Sequence, residues 1–163
     1  MKSVEEWARV GRAGRLARLG LTPPALEAAV AGADASVLGR RPAPAAWSAT
    51  EVVCHLRDTE AWFLERMQLI VLVDEPPFPR NHPDRWALER QYRRHDPRAA
   101  AAAFARRREE TLAFFAALAS AAWTRGGVHL DGRGRRTIDE FLTVMAWHDE
   151  NHLDQLARAL DGR

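Results

Sequence analysis

The chain has 163 residues, 47% hydrophobic and 28% charged, which suits one globular domain with a sizeable core. Its formal net charge is +2, from 24 basic and 22 acidic residues interspersed along the chain, and this excludes a phosphate-tracking basic stripe despite a pI near 9.3. A single cysteine, Cys54, excludes an internal disulfide framework.

The opening run Met1 to Trp7 is charged where a secretory leader needs an apolar stretch, so a cytoplasmic protein is expected. Val4, Trp7, Val10, Leu16 and Leu19 suggest a short helix over residues 3–19, weakened by Gly11, Gly14 and Gly20. Thr22 followed by Pro23 and Pro24 reads as an N-cap with prolines in the first turn, starting a helix that runs to about Val30. On this reading residues 1–21 are an N-terminal extension and 22–163 the domain proper. Ser48, with Glu51 three residues on, forms a capping box and opens a helix to about Val73. Its apolar run Leu69 to Val73 is far too short to cross a bilayer, and no membrane is expected as partner.

Residues 74–97 form a long proline-rich connection with one helical stretch near 84–93; a connection this long is usually functional. Pro97 opens a third long helix, rich in alanine and arginine, to about Ala121. Gly126-Gly127 and Asp131 to Gly134 bracket a loop or small hairpin around Val128 to Leu130. Thr137 caps the last helix, with Glu140 three residues on, and it continues to about Leu160. Four main helices and no long strand pattern predict an all-α, up-down four-helix bundle with an extra N-terminal helix and a long connection between its second and third helices.

His148 and His152 stand four apart, so both imidazoles leave one face of the last helix a turn apart. They share the stripe of Ile138, Phe141, Leu142, Met145 and Leu156, which faces the core. In the second long helix Val52, His55, Thr59, Trp62 and Phe63 share a side, so His55 also points inward. Two facing helices would then supply three nitrogens to one metal ion and leave coordination positions open, the pattern of a reactive centre. The pair alone recurs by chance, and a lone inward histidine is more often a satisfied core residue. A zincin peptidase is a poor fit, because Asp149 and not a glutamate follows the first histidine.

These residues resemble the DinB-like superfamily of four-helix metal-binding proteins, which includes thiol-dependent S-transferases of the bacillithiol transferase type. The carrying segments are Arg41 to Ser48, Glu51 to Leu56, Gly127 to His129 with Gly134 and Thr137, and His148 to Gln155, across roughly residues 22–161. The resemblance implies a metal held by His55, His148 and His152; zinc or nickel is the usual ion and iron an occasional one. It implies a small-molecule substrate, a low-molecular-weight thiol as co-substrate and a homodimer, for which Leu69 to Leu72 would serve if they are not core. The function expected is a metal-dependent S-transferase, with a metal-dependent hydrolase or a non-catalytic metal-binding stress-response module as alternatives. Nucleic acid is not expected as a partner.

Three further residues are candidates for catalytic roles. Glu51 lies one turn before His55 and would orient its ring, or serve only the capping box. Arg108, on the stripe of Phe104 and Phe115, would bind an anionic substrate group, or be one more surface arginine of the run 106–108. His129 either lines the pocket or stands at a loop tip in solvent. Asp58 and Asp149 are alternative orienters, more simply read as surface carboxylates, and Cys54 is a small core or interface residue.

Overall fold

The computed structural model describes residues 1–80 and 82–163. Seven α-helices carry the fold among these residues: α1 (Val4–Arg9), α2 (Arg12–Ala31), α3 (Ala35–Gly39), α4 (Ala49–Leu72), α5 (Pro83–Glu89), α6 (Pro97–Ala117) and α7 (Ile138–Asp161). Capping boxes start three of them, from Ser3 with Glu6, Ser48 with Glu51, and Thr137 with Glu140, each satisfying two N–H groups that a helix start leaves open. Asp96 caps α6 and Pro97 takes its first turn, while Gly162 ends α7 in the left-handed conformation.

The expected break at Thr22 does not occur. Helix α2 runs from Arg12 to Ala31 straight through Pro23 and Pro24, so residue 21 is no structural boundary. Pro23 has no N–H to offer the carbonyl of Leu19, four residues earlier. That carbonyl instead accepts a 2.9 Å hydrogen bond from Nη1 of Arg108 on α6. A tertiary donor replaces the local one, and the helix survives its prolines.

The four long helices α2, α4, α6 and α7 form the bundle. α4 packs against α6 and α7, and α2 packs against the same two, so α2 faces α4 across one diagonal and α6 faces α7 across the other. The first and second long helices are therefore diagonal partners, as are the third and fourth, while the second and third, α4 and α6, are ring neighbours. The arrangement sets α4 beside α7, the two helices that carry the histidines. The first turns of α4 are buried on every side, from Ala49 to Leu56. Trp7 anchors α1 to α7, its Nε1 donating to Glu150 at 2.8 Å.

A small sheet covers one end of the bundle, in the strand order β1 (Pro77–Phe78), β2 (Gly126–His129) and β3 (Gly134–Thr137). β1 runs parallel to β2 with Phe78 opposite His129, and β2 and β3 form the expected hairpin. A side chain at Gly127 would put its Cβ 2.3 Å from the Phe78 ring, which is why glycine stands there. The long connection between α4 and α6 thus pins one strand into the sheet and folds α5 against the bundle. No helix among the described residues is long and apolar enough to cross a membrane.

Candidate metal centre

His55 sits two turns into α4 and faces α7, where His148 and His152 project from successive turns. One ring nitrogen from each of the three lies within 4.8 Å of the others, and Nε2 of His55 is 3.1 Å from Nε2 of His148. His55 is buried and the other two are half-buried. Burial, with His152 beside it, pulls the His55 pKa down to about 3. Burial pulls His148 well below its usual value too, helped by the other two rings, and it lowers His152 against the opposing pull of Gln155. All three rings are therefore neutral at pH 7, the protonation state in which an imidazole offers a lone pair to a metal.

Outer contacts orient two of the rings. Nδ1 of His152 donates to Oε1 of Gln155 at 2.7 Å, which leaves the lone pair on Nε2. The Thr59 hydroxyl lies 3.3 Å from Nδ1 of His55. A cavity of about 270 Å³ opens over the imidazoles, walled by Trp47, Trp62, Phe63, Val144 and Trp147, with Arg133 and Arg136 at its hairpin side. A larger hollow of about 720 Å³ shares Trp47 as a wall but has none of the three histidines in its lining.

Glu51 does not reach His55. Its carboxylate accepts from the backbone and hydroxyl of Ser48 and from Nε and Nη2 of Arg41, so it caps α4 and ties down the segment before it. Arg108 is neither a surface residue nor free for substrate. It is 1% exposed, and its guanidinium bonds both oxygens of Glu60 and both of Asp149 besides the Leu19 carbonyl. Asp149 also accepts from the Thr22 hydroxyl at 2.6 Å, so the residue next to His148 serves this buried network and not the ring. Asp58 is buried as well, bonded to Arg57, Arg90 and the Tyr92 hydroxyl. Cys54 is buried in the core as expected.

His129 belongs to strand β2, not to a loop tip. It is buried between Phe78 and Phe141, and neither ring nitrogen has a hydrogen-bond partner. Burial, then the nearby Arg133, Arg136 and Arg66, hold its pKa down at about 4. A buried polar group without a partner costs roughly 1–3 kcal/mol. His129→Leu is therefore expected to stabilise the fold by about 1 kcal/mol at pH 7, after the altered packing is counted. The gain should grow as pH falls from about 6.5, the ordinary histidine value, toward 4. In that window the unfolded wild type takes up a proton at residue 129 that the folded histidine refuses, so lowering pH favours unfolding of the wild type more than of the variant. Urea melts of both proteins at pH 7 and 5 check this, and equal or lower stability of the variant at both would refute it.

Sequence reasoning missed Gln155, Glu60, Arg133 and Arg136. Gln155 was open to discovery, since it stands three residues after His152 on one helix face. Glu60 was not, because its partner Arg108 is 48 residues away.

The three imidazoles lie between the same two helices that the resemblance implied. Among curated proteins nothing matches the chain. Among solved structures, YfiT from Bacillus subtilis, described as a probable metal-dependent hydrolase with an unusual four-helix bundle topology, superposes with a TM-score of 0.84 at 21% identity. The match covers 98% of this chain and 88% of that one, and at this identity it speaks for the fold. The sequence profile of the DinB superfamily matches residues 18–156, and the chain belongs to that superfamily.

Proposed function

We propose that the protein is a metal-dependent enzyme in which His55, His148 and His152 hold one divalent transition metal, zinc or nickel in the first place and iron as a third choice. The observation that carries this is the convergence of three neutral ring nitrogens within 4.8 Å, with two of them facing each other at 3.1 Å. A shared cation satisfies them together, and three imidazoles suit each of these ions. Such an ion leaves coordination positions open and lowers the pKa of a bound thiol or water.

Thiol S-transfer is the preferred reaction. The wall of the cavity includes no carboxylate among the described residues, and the buried Glu51, Asp58 and Asp149 are committed to arginines. Among the described residues the cavity wall thus offers no general base beside the imidazoles, Asp84 lining only an adjoining hollow with His152, and this suits a thiol, whose proton is easily lost, better than water. The tryptophans and Phe63 would exclude water and stack the apolar body of a small electrophile. The thiolate sulfur then forms a bond to the electrophilic carbon as the leaving group departs with its electron pair. Metal-assisted hydrolysis is the second reading, favoured by the description of YfiT.

Incubating the metal-loaded protein with chlorodinitrobenzene and a panel of low-molecular-weight thiols, beside ester and amide panels, separates the two. Thiol-dependent release of chloride is expected. Turnover of esters or amides with no thiol present would sink the transferase reading. A homodimer is part of this proposal, with Leu69, Val71 and Leu72, all exposed at the end of α4, as its contact; Ile70 between them is core. Sedimentation of wild type and Leu72→Glu checks it, the variant being expected to run as a monomer.

A further inference from the structure

The hairpin end of the cavity collects positive charge that the described residues neutralise only in part. Arg136 on β3 lines the cavity with the three histidines, and Arg133 in the hairpin turn lines it too. Behind the wall, the guanidinium carbon of Arg66 stands 3.7 Å from the Trp62 ring centroid and 4.6 Å from that of Phe78. Arg133 is paired with Asp131, but neither Arg66 nor Arg136 forms an ion pair among the described residues. Of the next two acids along from Arg136, Asp139 is paired with Arg12 and Arg15, and Glu140 is taken up by the backbone and hydroxyl of Thr137.

Two independent observations show unmet polar demand at this end. Nε of Arg66, a residue 7% exposed, is buried with no acceptor, and both nitrogens of His129 are buried without partners. Burial and the neighbouring Arg133 pull Arg66 down to about 10 and lower Arg136 as well, as uncompensated cations should be. Arg66 spends one N–H on the Pro79 carbonyl, while the Arg136 side chain makes no hydrogen bond among the described residues, which leaves its planar fork open to an anion.

We propose that the molecule held over the three imidazoles carries a carboxylate or phosphate group, and that Arg136 grips that group through paired N–H donors, with Arg133, whose own fork is held by Asp131, adding positive charge beside it. The aromatic wall takes its apolar body, and the arginines set which end faces the histidines. This deepens the functional reading given above and rests on it for the identity of the reactive end.

The test is equilibrium binding followed by tryptophan fluorescence, since Trp47, Trp62 and Trp147 line the cavity. Phenylacetate, phenyl phosphate and the neutral phenylacetamide are titrated into the full chain, both metal-loaded and metal-stripped. At least one anion should bind about tenfold more tightly than the amide, and the stronger of the two tells planar from tetrahedral recognition. Arg136→Gln should weaken that anion about tenfold and leave the amide unchanged. Arg136→Lys keeps the charge without the fork and should fall between; it carries the test if the glutamine variant does not fold. Equal anion binding by wild type and both variants overturns the proposal, and so does an amide that binds as well as the anions. Binding that vanishes with the metal while Arg136→Gln has no effect puts the anion on the ion and also overturns it. A protein that takes up no metal but shows Arg136-dependent anion binding refutes the metal reading and supports this one.

Discussion

Purified His148→Ala is expected to carry no stoichiometric transition metal and to show no turnover, with helix content unchanged by circular dichroism. His148 is central to the cluster: its Nε2 is 3.1 Å from that of His55, and its ring centroid is 4.3 Å from that of His152. Removing it leaves two nitrogens on separate helices, too few to hold the ion against water. The loss should exceed the roughly 10–100-fold drop in affinity that follows loss of an outer partner. Gln155→Ala measures that smaller effect, because it frees Nδ1 of His152 but removes no ligand. Metal content by plasma mass spectrometry, on protein grown without added metal, checks both variants and His55→Ala. A full equivalent of metal in His148→Ala would end the proposal.

The second large effect is structural. Asp149→Ala should destabilise the metal-free protein by about 3–5 kcal/mol, because it strips one carboxylate from a guanidinium that is fully buried. Glu60 would remain as the partner of Arg108, but two of the five hydrogen bonds that hold the guanidinium would be lost, and the Thr22 hydroxyl would lose its acceptor. For a chain of this size that corresponds to a melting temperature lower by roughly 6–20 °C. Replacing the whole group, with Glu60→Leu, Arg108→Met and Asp149→Leu together, should cost less than the single change, since no buried charge is then left incomplete. Calorimetry on chelator-treated samples separates this from any effect of the adjacent His148. A shift below about 1 kcal/mol in Asp149→Ala would refute the account.

The two predictions also divide what could be read early from what could not. The helix starts at Ser48 and Thr137 were legible because a capping box is complete within four residues. The inward direction of His148 and His152 was legible because a 3.6-residue repeat fixes them relative to Phe141, Met145 and Leu156. Arg108 was misjudged for the opposite reason. Its run of three arginines looks like a solvated face, and its burial follows from Glu60, Asp149 and the Leu19 carbonyl, which lie 48, 41 and 89 residues away. Thr22 followed by two prolines reads as a helix start for the same reason, since the donor that keeps α2 continuous sits on α6.

What the amino-acid order alone determined is the course of α4 and α7, their N-terminal caps and the inward direction of their histidines, because these depend on neighbours within a turn or two. It also determined that these three imidazoles would face inward. Tertiary structure decided that α4 and α7 are ring neighbours, so that His55 meets the later pair, and that Glu51 answers to Arg41 and not to His55. It also decided that Arg136 borders the cavity, because the hairpin docks by pairing β2 with β1, a strand from the connection between α4 and α6. Helical periodicity is a local property of the chain; which charge neutralises which is settled only when distant segments compete for the same buried space.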